Sequence, residues 1–338
     1  NAAAGQRGGF DVQSDAEIHF TGAVTLDNGI KIRTRIELEG NSNVAAGSSN
    51  GTNGAAAAGN FDDIDENWIR ISGAFGEVRL GSGDAAAQAM TTGYLGSWAT
   101  NVGINQAFET SDWVTRPTSL AGSFVNRIDA SSDAEHISYF TPRYAGFQAG
   151  LSYVPSRRED VNNQRELTAG QDSEGWSFGL NFDRPIRGVG VGIAAGYAYM
   201  NESTAGAIND SIVRGIAGRL DFRQFRVAVS WVDKVNQTAT LGPFAGAGSE
   251  ALEVGLRYTF GANAVSISHI RVQSDSRNAT ANDDKLMSTF LAYRRLLGTG
   301  VSWKIAAMFV DYEDGTPNVA GASSNDGHAV VTSILIRF

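Results

Sequence analysis

From residue 17 onward, apolar and polar side chains take turns along the chain. In 17–26, Ile18, Phe20, Val24 and Leu26 share one parity, and Glu17, His19, Thr21 and Thr25 the other. Asp27-Asn28-Gly29 follows, a residue set suited to a tight turn. The return segment 30–39 puts Ile30, Ile32, Ile36 and Leu38 on one side and Lys31, Arg33, Arg35, Glu37 and Glu39 on the other. Successive side chains of a strand point to opposite faces. The pattern therefore predicts an antiparallel hairpin with one apolar face and one charged face.

The same unit recurs to the end of the chain. Paired segments are predicted at 67–75 and 77–83, 136–142 and 147–155, 176–184 and 189–200, 211–222 and 225–235, 250–260 and 263–272, and 285–297 and 301–312; a last strand occupies 327–338. Within a pair the connection is short, as at Arg223-Gln224 or Gly261-Ala262. Between pairs it is long and rich in Gly, Asn, Ser, Ala and Asp, as in 41–59 and 201–210. A soluble sandwich has no reason to keep that parity, whereas a transmembrane barrel has short turns on one side and long loops on the other. Helical periodicity is almost absent, and no run of 18 or more apolar residues exists to cross a bilayer as a helix. The predicted fold is all-β, one domain over 1–338: a transmembrane antiparallel β-barrel of about 16 strands, of which 15 can be read. An open sheet would leave a bare hydrogen-bonding edge in lipid. The expectation is therefore a first strand upstream of Asn1, or closure on an odd count with the last strand paired to the one beginning near Glu17.

Composition sharpens this. The 338 residues include 40 Gly, 6 Pro and no Cys, with 42% apolar and 19% charged residues and a mean hydropathy of −0.18. A membrane protein that is slightly polar on average is what a half-apolar, half-polar strand produces. The lack of Cys excludes a disulfide framework, a thiolate nucleophile and a Cys-ligated metal. A net charge of −9 and a pI near 5.0 argue against a nucleic-acid binder. The chain starts at Asn1 with neither a basic n-region nor an apolar h-region, so any export signal is expected to have been removed or omitted. Phe75, Tyr144, Phe147, Phe182, Phe222, Phe225, Phe260 and Phe338 lie at or beside the short turns, where an interfacial girdle would run.

Three stretches carry a family likeness: the hairpin Ile69-Arg70-Ile71-Ser72-Gly73-Ala74-Phe75-Gly76-Glu77-Val78-Arg79-Leu80-Gly81, the long insert 82–135 after it, and the closing strand with Val330, Ile334, Ile336 and terminal Phe338. On these the chain resembles the general diffusion porins of the Gram-negative outer membrane, of the alphaproteobacterial type, over essentially its whole length. The resemblance implies a homotrimer of sixteen-stranded barrels with periplasmic termini, set among outer-membrane lipid and lipopolysaccharide. It implies passive passage of ions and small hydrophilic solutes, with no catalysis and no cofactor. A substrate-specific channel on the same barrel is the alternative, marked by a ladder of arginines or an aromatic slide along the lumen. The resemblance also implies that 82–135 folds inward to narrow the lumen and that Phe338 serves as the assembly signal.

An insert of this length calls for a function, because long structureless loops in compact domains are uncommon. Its Tyr94, Leu95, Trp98, Phe108 and Trp113 could anchor it to the inner wall or form a small surface subdomain. Its acids Glu109, Asp112, Asp129 and Asp133 are candidates for the negative side of a constriction. The resemblance places a basic cluster opposite, on the early strands. Alternation independently sends Lys31, Arg33, Arg35 and Arg70 to the polar face, and Arg79 shares that parity in its own strand. The charges at 31, 33 and 35 recur about every 7 Å, so acids, water or counterions must offset their repulsion. Arg219, Arg226, Glu253, Arg257, Lys304 and Arg337 also face inward by parity and read as general lining.

Other motifs are weaker. Gly175-Trp176-Ser177-Phe178-Gly179 matches the G-x-S-x-G elbow, but Ser177 lies inside an alternating strand rather than at a strand-turn-helix junction. His19, His136, His269 and His328 sit on separate strands without ligand spacing. Asp62, Asp63, Asp65 and Glu66 form the densest acidic run, a candidate for a structural Ca²⁺ held by oxygen ligands, with a solvated loop as the competing reading.

Overall fold

The computed structural model describes residues 9–10, 12, 16–39, 64–103, 110, 113–117, 120, 124–156, 171–204, 207–208, 210–237, 248–275, 283–315 and 324–338. Its strands are β1 (Glu17–Thr25), β2 (Lys31–Glu39), β3 (Ile64–Gly73), β4 (Gly76–Gly81), β5 (His136–Phe140), β6 (Phe147–Val154), β7 (Gln171–Ile186), β8 (Val189–Thr204), β9 (Ala207–Ile208), β10 (Asp210–Phe222), β11 (Phe225–Gln237), β12 (Ser249–Phe260), β13 (Asn263–Ser274), β14 (Asp284–Gly298), β15 (Val301–Glu313) and β16 (Asn325–Ile336). Each wall strand pairs antiparallel with its neighbour in sequence, and the two-residue β9 only extends β8. With β9 set aside, fifteen strands form the wall, in the order and number that alternation predicts.

Turn chemistry explains why the hairpins close where they do. In the first, Gly29 takes φ 82° while its N–H donates to the Leu26 carbonyl and Leu26 N–H donates to Ile30, both at 2.8 Å. At Gly300 the constraint is also steric, since a Cβ there would fall 2.0 Å from the Arg337 carbonyl oxygen. That close approach lets Arg337 N–H donate to Gly300 and ties the chain's end to the β14–β15 turn.

The outer face is apolar in register as well as in parity. One row, Leu220, Val227, Leu256, Ile267, Leu291, Ala307 and Val330, crosses seven neighbouring strands side by side. All but the alanine are large and exposed. A contiguous apolar belt of that extent is incompatible with water and matches a lipid surround. Aromatic rings border it. Phe147 with Phe182 (4.8 Å) and Phe225 with Tyr258 (4.7 Å) lie toward the short turns, and Tyr153 with Trp176 (4.8 Å) toward the long loops. Trp176 and Phe182 are six residues apart on β7, about 20 Å, close to the height of an outer-membrane apolar band. Beyond that band the outer face turns charged, with the pairs Arg214–Asp233 (2.8 Å) and Lys285–Glu313 (3.0 Å).

The two end strands present edges. Among the described residues β1 pairs only with β2, and β16 only with β15, so the last strand does not pair with the strand beginning at Glu17. All nine residues of β1 are exposed. Both edges carry a row of backbone donors and acceptors available to a further strand.

Val254 lies in the middle of β12 and points outward. Val254→Arg is expected to cost about 2–4 kcal/mol of folding free energy in a lipid bilayer, and Val254→Leu close to nothing; urea unfolding in lipid vesicles measures both.

Candidate functional site

After β4 the chain turns into the barrel instead of away from it. It forms helix α1 (Ala86–Thr91), a 3-10 turn (Thr92–Tyr94) and helix α2 (Gly96–Thr100), three short elements that lie on the inner wall. The first N–H groups of a helix lack intrahelical partners, and neither helix is capped by its own flanking side chain. The wall supplies the caps. Ala86 and Ala87 N–H donate to the hydroxyls of Ser152 and Ser177, both at 2.8 Å. Gly96 N–H donates to Ser230 (2.9 Å), Ser97 N–H to the Glu253 carboxylate (3.0 Å), and Val102 N–H to Ser266 (3.1 Å). Ser177, the serine of the elbow-like motif, is thus a buried docking acceptor. Room is made by the wall's smallest residues: a Cβ on Gly255 would fall 1.9 Å from Thr100 Oγ1, and one on Gly179 2.5 Å from the Ala86 carbonyl oxygen.

The rest of the insert packs by apolar burial. Leu95, Val114, Leu120 and Ile128 are buried against inward-facing Ile270, Val272, Leu286, Phe290, Val310 and Tyr312. Tyr94 is buried too, and Trp98 and Trp113 pack against the same cluster; Phe108 lies outside the described residues. Thr110 and Tyr312 share a hydrogen bond at 2.6 Å, and Asn325 donates to the Thr115 carbonyl at 2.7 Å. The described part of the insert therefore lies along the inside of the wall and not in a surface subdomain.

The wall left uncovered is β1–β4. Arg33, Arg70 and Arg79 are register partners on β2, β3 and β4, in a single row with Cα spacings of about 5 Å. Like charges in register repel, and the structure offsets this unevenly. Arg79 pairs with Glu77 and lies 4.2 Å over the Phe140 ring; Arg70 lies 3.7 Å over Trp68, its Nε buried without a hydrogen-bond partner. Such cation–π contacts return part of the cost. Arg35 is bonded to Glu37 and sits 3.4 Å from Glu66. Lys31 and Arg33 are exposed and make no ion pair among the described residues.

The acids gather elsewhere. Asp129 accepts N–H bonds from Ser131 (2.9 Å) and Ser132 (3.0 Å), fixing the loop's own turn. Asp133, Asp129, Asp65 and Glu66 converge with Asp84, so acids expected in two separate roles form one cluster at the loop root. Asp84 gave no sign in the sequence, because only the fold brings 65, 84 and 133 together. Glu109, Asp112, Asp62 and Asp63 lie outside the described residues. Glu17, His19 and Glu37 also meet, with His19 Nε2 3.0 and 3.2 Å from the two carboxylates, beside the Arg35 guanidinium. Between the basic wall and the loop is a cavity of about 320 Å³, lined by Glu77, Arg79 and Phe140 on one side and Met90, Tyr94 and Arg219 on the other.

A family model described as Gram-negative porin matches residues 1–315. The chain belongs to that family. It is an outer-membrane β-barrel protein. The anion-selective porin of Comamonas acidovorans shares its fold at a TM-score of 0.64 and 18% identity, covering 96% of this chain and 88% of that one. OmpF of Salmonella typhi, solved with daunomycin, does so at 0.61 and 12%, covering 96% and 90%. A stretch of 124 residues is 30% identical to an uncharacterized protein of Rickettsia conorii, and this chain spans about 28% of that protein's length.

Two features of the porin's loop are open to measurement. Gly255→Val drives a side chain into Thr100 and is expected to weaken loop docking by about 1–3 kcal/mol, read as faster proteolysis within 82–135. At the root, burial and then the charges of Glu66 and Asp129 push the Asp84 carboxyl up to about 6, against the opposing pull of Arg127 and Arg79. Burial and then Asp65, Asp84, Asp129 and Glu66 push Asp133 up to about 7. Raised carboxyls favour the docked loop in their protonated form. That contribution is complete below the ordinary value of 3.8 and is lost as pH rises through 6 to 7. Amide exchange at 131–134, corrected for intrinsic rates, should show more protection at about pH 5 than at about pH 8, and Asp133→Asn should flatten the difference.

Proposed function

We propose that this porin is a passive, water-filled channel for ions and small hydrophilic solutes, working as a homotrimer, with loop 82–135 and the basic wall as its constriction. The observation that carries the reading is the position of the loop: its described residues dock inside the barrel on β5–β16, and the lumen is left to run past the in-register arginines Arg33, Arg70 and Arg79. Selection then rests on the width left by the loop and on the field of the wall. The row runs around the wall at one level instead of along the lumen axis. It therefore favours a single charged narrowing over the arginine ladder of a substrate-specific channel. Lys31 and Arg33 carry no paired acid among the described residues, which gives the narrowing a preference for anions. The short turns and Phe338 face the periplasm in this reading, and Phe338, fully exposed, is available to the assembly machinery. In this reading the outward ion pairs at the long-loop end meet lipopolysaccharide.

A free cation about 7 Å from a passing ion is worth about 0.6 kcal/mol at the dielectric of water, less with salt screening. In planar bilayers the porin should give stable ohmic steps with an anion-favouring reversal potential in a potassium chloride gradient. Arg33→Gln with Arg70→Gln should lower the anion-to-cation permeability ratio several-fold. Absence of steps would overturn the channel; an unmoved reversal potential would overturn the constriction.

A further inference from the structure

Below the docked loop, toward the short turns, a second group of cations lines β10–β16. On β12, β14 and β15 the loop rests against Gly255, Ala292 and Ala306, and the next same-face residues toward the turns are Arg257, Arg294 and Lys304. Arg226 of β11 is the register partner of Arg257, and Arg294 of Lys304. Between the two pairs stands β13, which opposes them with only Ser266 and Ala264. Arg337 closes the group at the β14–β15 turn, where its N–H holds Gly300.

These cations have different employments. Arg219 donates to the Gly93 carbonyl (2.9 Å) and pairs with Asp183 (2.8 Å) and Asp221 (3.0 Å). Arg226 pairs with Asp221 and donates to the Ala99 carbonyl (3.3 Å). Both serve to hold the loop. Among the described residues Arg257, Arg294, Lys304 and Arg337 make no ion pair and no side-chain hydrogen bond, and the buried Arg294 Nε has no hydrogen-bond partner. Like charges set side by side in register repel, and Asp221 of β10, the carboxylate that acts on Arg257, is already paired with Arg219 and Arg226. Stability alone does not explain them.

We propose that Arg257, Arg294, Lys304 and Arg337 form an anion-docking site at the short-turn side of the constriction, taking small polyvalent oxyanions of the phosphate class. Guanidinium forks engage two oxygens of a tetrahedral oxyanion at once, and a lysine adds a compact charge. Chloride, a single atom with one negative charge, can neutralise only one of these cations. A divalent or trivalent oxyanion, by contrast, neutralises several of these cations together, on the short-turn side of Val102, which covers Ala264 and Ser266 of β13. Binding here raises the local concentration of such anions directly under the narrowing. The site rests on the porin reading only in being reached through the lumen.

Tripolyphosphate is the probe. Applied from the short-turn side, it should reduce the chloride current through single channels. The triple variant Arg257→Gln, Arg294→Gln, Lys304→Gln should weaken that block about tenfold or more, whereas Arg33→Gln with Arg70→Gln should leave block from that side in place. Liposome swelling in an uncharged sugar reports separately whether the wild-type porin and each variant form an open channel; failure there would count against the channel reading alone. Calorimetric titration of the folded, detergent-solubilised protein with tripolyphosphate then decides the site without any current. A loss of about tenfold in affinity in the triple variant supports it. Equal binding by wild type and variant, or no binding by either, overturns it.

Discussion

Lipid offers no hydrogen bonds, so every backbone N–H and C=O within the membrane must be paired inside the protein. The meander satisfies this strand by strand between β1 and β16, and among the described residues only the outer edges of those two strands are left over. The same accounting governs the lumen. A loop laid inside a barrel brings its own donors into a crowded space, and short helices bring more orphan N–H groups per residue than long ones. Here the wall answers them with Ser152, Ser177, Ser230, Glu253 and Ser266, each spaced to meet a particular turn of the loop. Without those acceptors the loop would have to stay in water.

Docking in turn sorts the interior by chemistry. Where the loop lies, the inner wall is small or apolar, as at Gly179, Gly255, Ile270 and Phe290. Where it does not lie, the wall keeps its charges. Arg219 and Arg226 mark the border, bonded to loop carbonyls and balanced by Asp183 and Asp221. On either side of that border stand cations with different partners: Arg70 and Arg79 stacked over Trp68 and Phe140, Arg257 and Lys304 without partners among the described residues. Net charge hides this arrangement, because a chain of −9 overall still sets Arg33, Arg70 and Arg79 side by side on the uncovered wall.

Legibility followed periodicity. The hairpin 17–39 could be read at once, since Ile18, Phe20, Ile32 and Ile36 alternate with charges and Asn28-Gly29 punctuates them. Reading was harder in β13, where Val265 and Ile267 face lipid while Ile270 and Val272 face the loop, so both parities are apolar. Alternation also sent Arg33, Arg70 and Arg79 to one face without revealing that they stand side by side, because register depends on the pairing of three separate strands. Glu253 looked like one more lining charge and proved to be a helix cap for residues more than a hundred positions away.

Local pattern alone thus determined the strands, their order, the apolar outer face and the polarity of the early inner wall, because period two and turn residues act over a few positions. Only the tertiary structure decided which wall the insert covers, which serines cap it, that Asp65, Asp84 and Asp133 meet at its root, and which cations are left free. Those outcomes depend on contacts between segments remote in the chain, and such contacts exist only once the sheet has curled and the loop has found the places where a glycine or a serine gives it room.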